Sequence, residues 1–221
     1  MVSTGTPKLQ YFDAYGRAEP IRMAAAVGNL QYTDERLSQE DFGKMKMAGE
    51  FPMGSVPVWI EDGVKYCQSN TVLRLVGMRT GQYPTEVKAA WDVDSAMEAV
   101  EDNMGPVNGY VGKQVFQGGK AEQADVDGLC KSITNLCSLI ERRLYGHGQK
   151  YIAGSKATVA DFKIINVFLL SVYNDSMPMA AEHREACKAV INKWPKSKQY
   201  IETTMPALLK DYLSKRASCP F

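Results

Sequence analysis

The hydrophobic pattern of this chain changes once, between residues 80 and 85. Before that point, short apolar runs alternate with turn residues, as in strands and short helices. After it, apolar residues recur every three or four positions, which is typical of the buried face of an α-helix. This repeat occurs at Val93, Met97, Val100 and Met104, and again at Leu129, Ile133, Leu136, Ile140 and Leu144. We therefore predict two domains, one α/β and one all-α.

The predicted boundaries are 1–80 for the α/β domain, 81–85 for a linker and 86–221 for the all-α domain. In the first domain, Asp62-Gly63 between two apolar runs predicts a hairpin. The element order then predicts a small mixed sheet with helices on both faces. Its predicted strands are Lys8–Phe12, Gln31–Arg36, Val56–Ile60 and Val64–Tyr66, and its predicted helices are Arg17–Val27, Gln39–Met47 and Gln68–Met78. Helices are also predicted at Thr158–Tyr173, Ala180–Asn192 and Ser197–Leu213.

Charge and cysteine content exclude several classes of function. The 26 basic and 25 acidic residues nearly cancel and form no basic block, so we expect neither a nucleic-acid partner nor a membrane surface. The longest apolar run, Ile164–Val172, is too short to span a bilayer. The first five residues have no apolar leader, and the five cysteines form no CxxC pair. We expect reduced thiols and a cytoplasmic location.

Two short motifs, a dozen residues apart, flank the predicted hairpin. Pro57 has no N–H to give to a sheet, and a cis Val56-Pro57 bond would leave the Val56 amide and carbonyl facing outward, where an extended peptide can pair. Gln68-Ser69 stands where a helix begins, and free amides with a hydroxyl suit a carboxylate there. An ordinary edge proline and a plain N-cap are the alternatives.

Together with further motifs, these residues resemble the cytosolic glutathione transferase family, nearly end to end and closest to its sigma class. The motifs are Tyr11-Phe12, Gly16–Arg22, Phe51–Val58, Gln68-Ser69, Gly154 and Thr158–Asp161. The resemblance implies an α/β thioredoxin-like N-terminal domain followed by an all-α C-terminal domain, and a homodimer. It implies glutathione as co-substrate and a small hydrophobic electrophile as its partner. Conjugation in detoxification is the implied activity, with isomerase (prostaglandin D synthesis) or peroxidase activity as further options.

The resemblance also assigns roles to individual residues. Tyr11 is implied as the catalytic residue whose hydroxyl donates a hydrogen bond to the glutathione sulfur and favours the thiolate, and Tyr15 in the next loop is the alternative. Arg17 is implied to steady the active-site loop. The residues implied to hold glutathione are Lys46, Val56, Pro57, Gln68 and Ser69, with Asp102 reaching the γ-glutamyl amino group from the second subunit. The layout of the helices further suggests Met104 and Tyr110 beside the electrophile.

Two positions depart from the family pattern. Phe42 stands where the family usually has tryptophan, which removes an indole N–H donor, and Ser55 stands where glutamine or lysine is common. Lys46 could equally be a solvated lysine. The departures keep open a second class of function, a non-catalytic ligand-binding or structural, crystallin-like protein. A disulfide oxidoreductase is disfavoured because the segment Asp13–Arg17 contains no cysteine.

Four acidic residues share one predicted helix face. They are Asp94, Glu98, Glu101 and Asp102, at positions i, i+4, i+7 and i+8. Because like charges repel there, something cationic should offset them. A solvated acidic face and a divalent-cation site, which the family resemblance suggests, both remain open, and we assign no metal ligand. Further along, Thr158 and Asp161 predict a capping box and hence a structural role.

Overall fold

The computed structural model describes residues 5–221, and of residues 146 and 147 the backbone alone. The first four residues, which belong to the segment expected to contain no leader, lie outside the described residues. The chain divides into two compact units, Met1–Gln82 and Tyr83–Phe221. Among the described helices, none is both long enough and apolar enough to cross a bilayer.

Within the described part of the first unit, four strands form one mixed sheet in the order β2-β1-β3-β4. The strands are β1 (Lys8–Phe12), β2 (Thr33–Leu37), β3 (Val58–Glu61) and β4 (Val64–Cys67). β2 runs parallel to β1, whereas the β1–β3 and β3–β4 pairs are antiparallel. The helices are α1 (Glu19–Val27), which follows a 3₁₀ turn at Gly16–Ala18, then α2 (Gln39–Met47) and α3 (Ser69–Thr80).

Local signals explain most of these boundaries. The β3–β4 hairpin turns through Asp62 and Gly63, both with positive φ, as a two-residue hairpin turn requires, so that prediction is confirmed. The Ser38 hydroxyl accepts a hydrogen bond from the Asp41 N–H at 3.0 Å and begins α2. Gly81, with a φ of +70°, ends α3. The strand predicted from Val56 begins instead at Val58, so Val56 and Pro57 precede the paired residues.

The second unit is helical throughout its regular structure. Its helices are α4 (Val87–Val115), α5 (Gln123–His147), α6 (Val159–Leu170), α7 (Ala181–Ile191), α8 (Pro195–Gln199), α9 (Met205–Leu208) and α10 (Lys210–Leu213). Every residue of α6 is buried, including Lys163, whose ammonium group pairs with Glu101 of α4 at 2.5 Å. A helix buried on all sides gains its stability from its neighbours rather than from its own propensity.

Asp161 confirms the predicted capping box. Its carboxylate accepts hydrogen bonds from the Thr158 N–H at 2.8 Å and from the Ile152 N–H at 3.0 Å. The Tyr200 hydroxyl donates a further bond at 2.8 Å. Asp161 therefore joins the start of α6 to the preceding loop and to the segment after α8, which is a structural role.

The prediction of one continuous helix over Ser197–Leu213 is wrong. The chain forms α8, then a π-helical segment at Tyr200–Thr204, then α9 and α10. Pro206 has no N–H to donate to the Glu202 carbonyl four residues earlier, which prevents a regular helix here. The Tyr200 hydroxyl is also held by Asp161. A tertiary contact and a proline thus override the apolar periodicity.

Candidate active site

The predicted catalytic tyrosine lies near the end of β1 with its hydroxyl held by the following turn. Tyr11 is buried, with 7% of its surface exposed. Its hydroxyl oxygen accepts a hydrogen bond from the Arg17 backbone N–H at 3.0 Å. A phenol that accepts at its oxygen keeps its own O–H as a donor. The loop from Phe12 to the 3₁₀ turn therefore fixes the oxygen without using its proton.

Gly16 provides the space that this hydroxyl occupies. A Cβ atom at Gly16 would lie 2.4 Å from the Tyr11 hydroxyl oxygen, far inside van der Waals contact. Gly16 also has a φ of +43°, a conformation that residues with a Cβ rarely adopt. Both the backbone conformation and the close approach require glycine at this position.

Arg22 supplies positive charge beside the tyrosine and was not assigned a role from the sequence. This side chain is 1% exposed, and its guanidinium carbon lies 5.7 Å from the centroid of the Tyr11 ring. Its Nη1 donates to the Ala14 carbonyl at 2.6 Å, and its Nε donates to Asp34 at 3.1 Å. The sequence shows an arginine between apolar residues of α1, with a glutamate one turn earlier. In the structure this Glu19 carboxylate lies 3.4 Å from the Arg22 Nη1.

The charges around Tyr11 act against the effect of its burial. Burial raises the pKa of the Tyr11 hydroxyl above its ordinary value. The hydrogen bond from the Arg17 N–H opposes that rise in pKa, as do the positive charges of Arg22 and Arg17. The hydroxyl is therefore protonated at neutral pH, but the arginines make it a better hydrogen-bond donor than burial alone would leave it.

Three predicted site residues adjoin the ends of two strand pairings. Pairing of β1 with β3 ends at Gln10 opposite Val58, and pairing of β3 with β4 ends at Val58 opposite Cys67. Tyr11, Pro57 and Gln68 are the sequence neighbours of these last paired residues. Both antiparallel pairings thus end beside the candidate site, while β1 stays paired with β2 through Phe12.

Both peptide-binding motifs have unusual backbone conformations at this edge. The Val56-Pro57 peptide bond is cis, the condition on which the sequence interpretation depended. Gln68 has a φ of +72° and a ψ of 113°, an uncommon conformation for a residue other than glycine. Its amide nitrogen donates to the Met53 sulfur at 3.1 Å, and Ser69 is the buried first residue of α3. The strained φ of Gln68 is of a kind typical of ligand-binding positions.

Lys46 lies beside the loop that leads to this edge. A Cβ atom at Gly54 would lie 3.6 Å from the Lys46 Cε, so the side chain runs along the loop before Val56. Its ammonium nitrogen is 5.6 Å from the Phe42 ring centroid. Phe42 itself packs against Phe12 and Phe51, with ring centroids 4.9 and 5.3 Å away. The aromatic residue that replaces tryptophan therefore has a packing role.

The acidic face of α4 has cationic and hydroxyl partners within its own unit. Glu101 pairs with Lys163 at 2.5 Å, and Asp94 accepts a hydrogen bond from the Tyr83 hydroxyl at 2.9 Å. Across the described residues, no group of three or more His, Cys, Asp or Glu side chains could hold a metal ion. The structure thus gives the divalent-cation hypothesis no support. Asp102 is exposed on α4, and its role toward a second subunit remains a prediction.

Tyr110, which the helix layout suggests beside the electrophile, is a buried residue of α4. Its side chain is fully buried within the described unit, and its hydroxyl lies 2.8 Å from the His183 Nδ1. The Gln114 amide donates to the same oxygen at 3.1 Å. Met104 is also buried, with 9% of its surface exposed. A role for either residue beside the electrophile stays a prediction.

Comparison with known proteins identifies this architecture. Residues 110–204 match the family model described as "Glutathione S-transferase, C-terminal domain". The glutathione S-transferase of Ascaris lumbricoides superposes with a TM-score of 0.80 at 22% identity, covering 98% of this chain and 100% of that one. This chain has the glutathione S-transferase fold. Prostaglandin synthase D of Nilaparvata lugens has it too, with a TM-score of 0.73 at 20% identity, covering 97% of this chain and 100% of that one.

Curated relatives agree with the fold. Human "Glutathione S-transferase A3" is 26% identical over 207 residues, which cover 91% of this chain and 90% of the human protein. This chain is therefore similar in sequence to glutathione S-transferases over most of its length.

Proposed function

We propose that this chain is a glutathione transferase that converts the thiol of bound glutathione to a thiolate for attack on a small hydrophobic electrophile. A thiol of this kind has an ordinary pKa of about 8.5, so most of it is protonated at neutral pH. Because the thiolate is the nucleophile, a donor aimed at the sulfur increases the reactive fraction. The observation that carries the proposal is the Tyr11 hydroxyl, which accepts from the Arg17 N–H at 3.0 Å and keeps its own proton to donate.

The residues proposed to hold glutathione surround the same edge of the sheet. The Val56 backbone, directly before Pro57, would pair with the extended tripeptide. Gln68 and Ser69, at the start of the twelve-residue helix α3, would bind the γ-glutamyl carboxylate, which the positive end of the helix dipole favours. Lys46 would reach the glycine carboxylate.

The finer assignments extend the same proposal. Asp102 would act on the γ-glutamyl amino group bound to the partner in a homodimer, which agrees with its exposure on α4. Sigma-class character, a role in detoxification and a cytoplasmic location are the expectations from the sequence. Conjugation is the proposed principal reaction. Isomerase activity of the prostaglandin D type has the support of a shared fold with a prostaglandin synthase.

The decisive experiment replaces Tyr11 with phenylalanine, which removes only the hydroxyl. We expect Tyr11→Phe to lower kcat for conjugation of a generic aryl halide by about 10² or more, since one well-placed donor is lost. Retention on a glutathione matrix should stay near the parent level. Tyr32→Phe is the matched control, because Tyr32 packs against Trp59 at 5.5 Å between ring centroids and has no proposed role in binding.

Two other outcomes would change the assignment. An unchanged rate in Tyr11→Phe would refute the proposed role of the hydroxyl. Retention of the parent protein on glutathione, with no turnover of aryl halide, isomerase or peroxide substrates, would favour the non-catalytic, crystallin-like alternative.

A further inference from the structure

Two cysteine side chains from distant parts of the sequence meet in the second unit. The Sγ atoms of Cys130 on α5 and Cys187 on α7 lie 3.9 Å apart, although 57 residues separate them along the chain. Both are free thiols. Cys187 is fully buried, whereas Cys130 is partly exposed. Packing of α5 against α7 therefore creates a dithiol in which one cysteine, Cys130, is partly exposed.

The distance between the sulfurs fits a bridging atom rather than a direct bond. A disulfide requires an S–S distance of about 2.05 Å, so the two atoms would have to approach by nearly half their separation. An atom bonded to each sulfur at about 2.3 Å, the length of a zinc–thiolate bond, holds the sulfurs about 3.5–3.8 Å apart at a bond angle of about 100–110°. The observed separation of 3.9 Å is close to that range.

The number of protein ligands then restricts what the bridging atom can be. A structural zinc site needs four ligands, and the described residues contain no group of three or more His, Cys, Asp or Glu side chains suited to a metal. His183, one turn before Cys187, has its Nδ1 2.8 Å from the Tyr110 hydroxyl. The site therefore suits a thiol-binding atom that forms two bonds to protein sulfurs and already carries its third substituent.

We propose that Cys130 and Cys187 form a binding site for trivalent organoarsenicals, in which arsenic carries one organic group and two exchangeable oxygens. Two As–S bonds form and two As–O bonds break. The two thiol protons leave with the oxygens as two molecules of water. Arsenic stays trivalent, so the step needs neither an oxidant nor a reductant. Cys130 bonds first because it is exposed, and Cys187 closes the bridge.

The environment of the thiols favours such a two-point ligand over ordinary thiol reagents. Burial raises the pKa of the Cys130 thiol and raises that of Cys187 further, so few thiolates form at neutral pH. Reagents that need one thiolate should therefore react slowly. A two-point ligand gains from its intramolecular second bond, which typically strengthens binding by about 10² to 10⁴.

The test uses phenylarsine oxide as the probe and the intact mass of the folded full-length chain as the readout. After incubation with the probe and millimolar glutathione, which competes as a monothiol, we expect one phenylarsenic group per chain. Cys130→Ser should release it at least about 100-fold more readily. Cys219→Ser, which leaves the pair intact, should behave like the parent. Release from the parent protein under these conditions would overturn the proposal.

A second variant tests the other sulfur, with a check that the chain is still folded. Cys187→Ser places a hydroxyl in a buried position and could destabilise the chain, so its thermal melt is recorded beside its arsenic content. If it folds, loss of the phenylarsenic group supports the dithiol. Retention by folded Cys130→Ser or folded Cys187→Ser would contradict the proposal, because one sulfur would then suffice. None of these readouts depends on transferase activity, so this proposal and the proposed function fail separately.

Discussion

The Tyr11 hydroxyl lies in space that is open because Gly16 has no side chain: a Cβ atom there would lie 2.4 Å from that oxygen. The turn and the tyrosine are therefore coupled. Any residue larger than glycine at position 16 must move the hydroxyl or the loop that holds it.

Replacement of Gly16 by alanine tests this coupling. We expect kcat/KM for conjugation to fall about a hundredfold, because displacement of a reacting group by about 1 Å can cost that much. Stability should fall by about 1 kcal/mol, because φ is +43° at this position. Gly43→Ala is the control on α2, since a Cβ atom at Gly43 would have no neighbour within 4 Å, and it should retain activity. Equal activity in Gly16→Ala would show that the hydroxyl position is unimportant.

Arg22 should set the pH at which conjugation begins. Its positive charge lowers the pKa of Tyr11, so removal of the charge raises that pKa further and weakens the hydroxyl as a donor to sulfur. The thiolate then forms at higher pH, and the acid limb of the kcat/KM profile moves to higher pH in Arg22→Met. Arg22→Lys keeps the charge and should show a smaller displacement.

The controls for Arg22 separate electrostatics from folding. Arg22→Met removes the guanidinium that pairs with buried Glu19 at 3.4 Å, and loss of this buried ion pair should cost about 3 kcal/mol of stability. Arg79→Lys changes a half-exposed arginine that pairs with Glu61 at 3.1 Å, and should leave the pH profile in place. A profile that is unchanged in folded Arg22→Met would remove Arg22 from the site.

Gln68 combines a binding role with backbone strain, and two substitutions separate them. Both Gln68→Ala and Gln68→Gly remove the carboxamide and should weaken retention on a glutathione matrix. Glycine alone relieves the cost of a φ of +72°, so Gln68→Gly should be about 1 kcal/mol more stable than Gln68→Ala in urea unfolding. Undiminished retention in both variants would exclude the side chain from binding.

Asp161 should matter for stability but not for turnover. Burial raises the pKa of this carboxyl, and the hydrogen bonds from Ile152, Thr158 and Tyr200 oppose the rise. Asp161→Ala leaves those buried donors unpaired and should cost about 3 kcal/mol or more in the free energy of unfolding. Activity per folded molecule should stay near the parent value, as for the exposed control Asp211→Asn. A specific loss of kcat in folded Asp161→Ala would contradict a purely structural role.

Local signals predicted much of the first unit. The bounds of β1 and α2 match the predicted Lys8–Phe12 and Gln39–Met47, and the structure adds the Ser38 cap that fixes the start of α2. Asp62-Gly63 likewise predicted the hairpin. What failed was the helix over Ser197–Leu213, whose course depends on Pro206 and on a hydroxyl contact to Asp161 from another element.

The candidate site was predictable to the extent that its motifs are contiguous. Three short sequence motifs contain most of its predicted residues: Tyr11 with Arg17, Val56 with Pro57, and Gln68 with Ser69. The charge of Arg22 beside the tyrosine ring could not be predicted, because it depends on how α1 packs against β1. The meeting of Cys130 and Cys187 was also missed, since helix packing alone brings residues 57 positions apart into contact.

The complete burial of α6 has a consequence for how the second unit opens. Water can reach the amide hydrogens of its middle turns only when the surrounding helices separate, since no side of α6 faces solvent. Deuterium should therefore enter these amides last, at a rate that reports complete unfolding of the unit, while α10, which has no buried residue, exchanges early. The exchange rate of the α6 amides thus measures the global stability of the second unit.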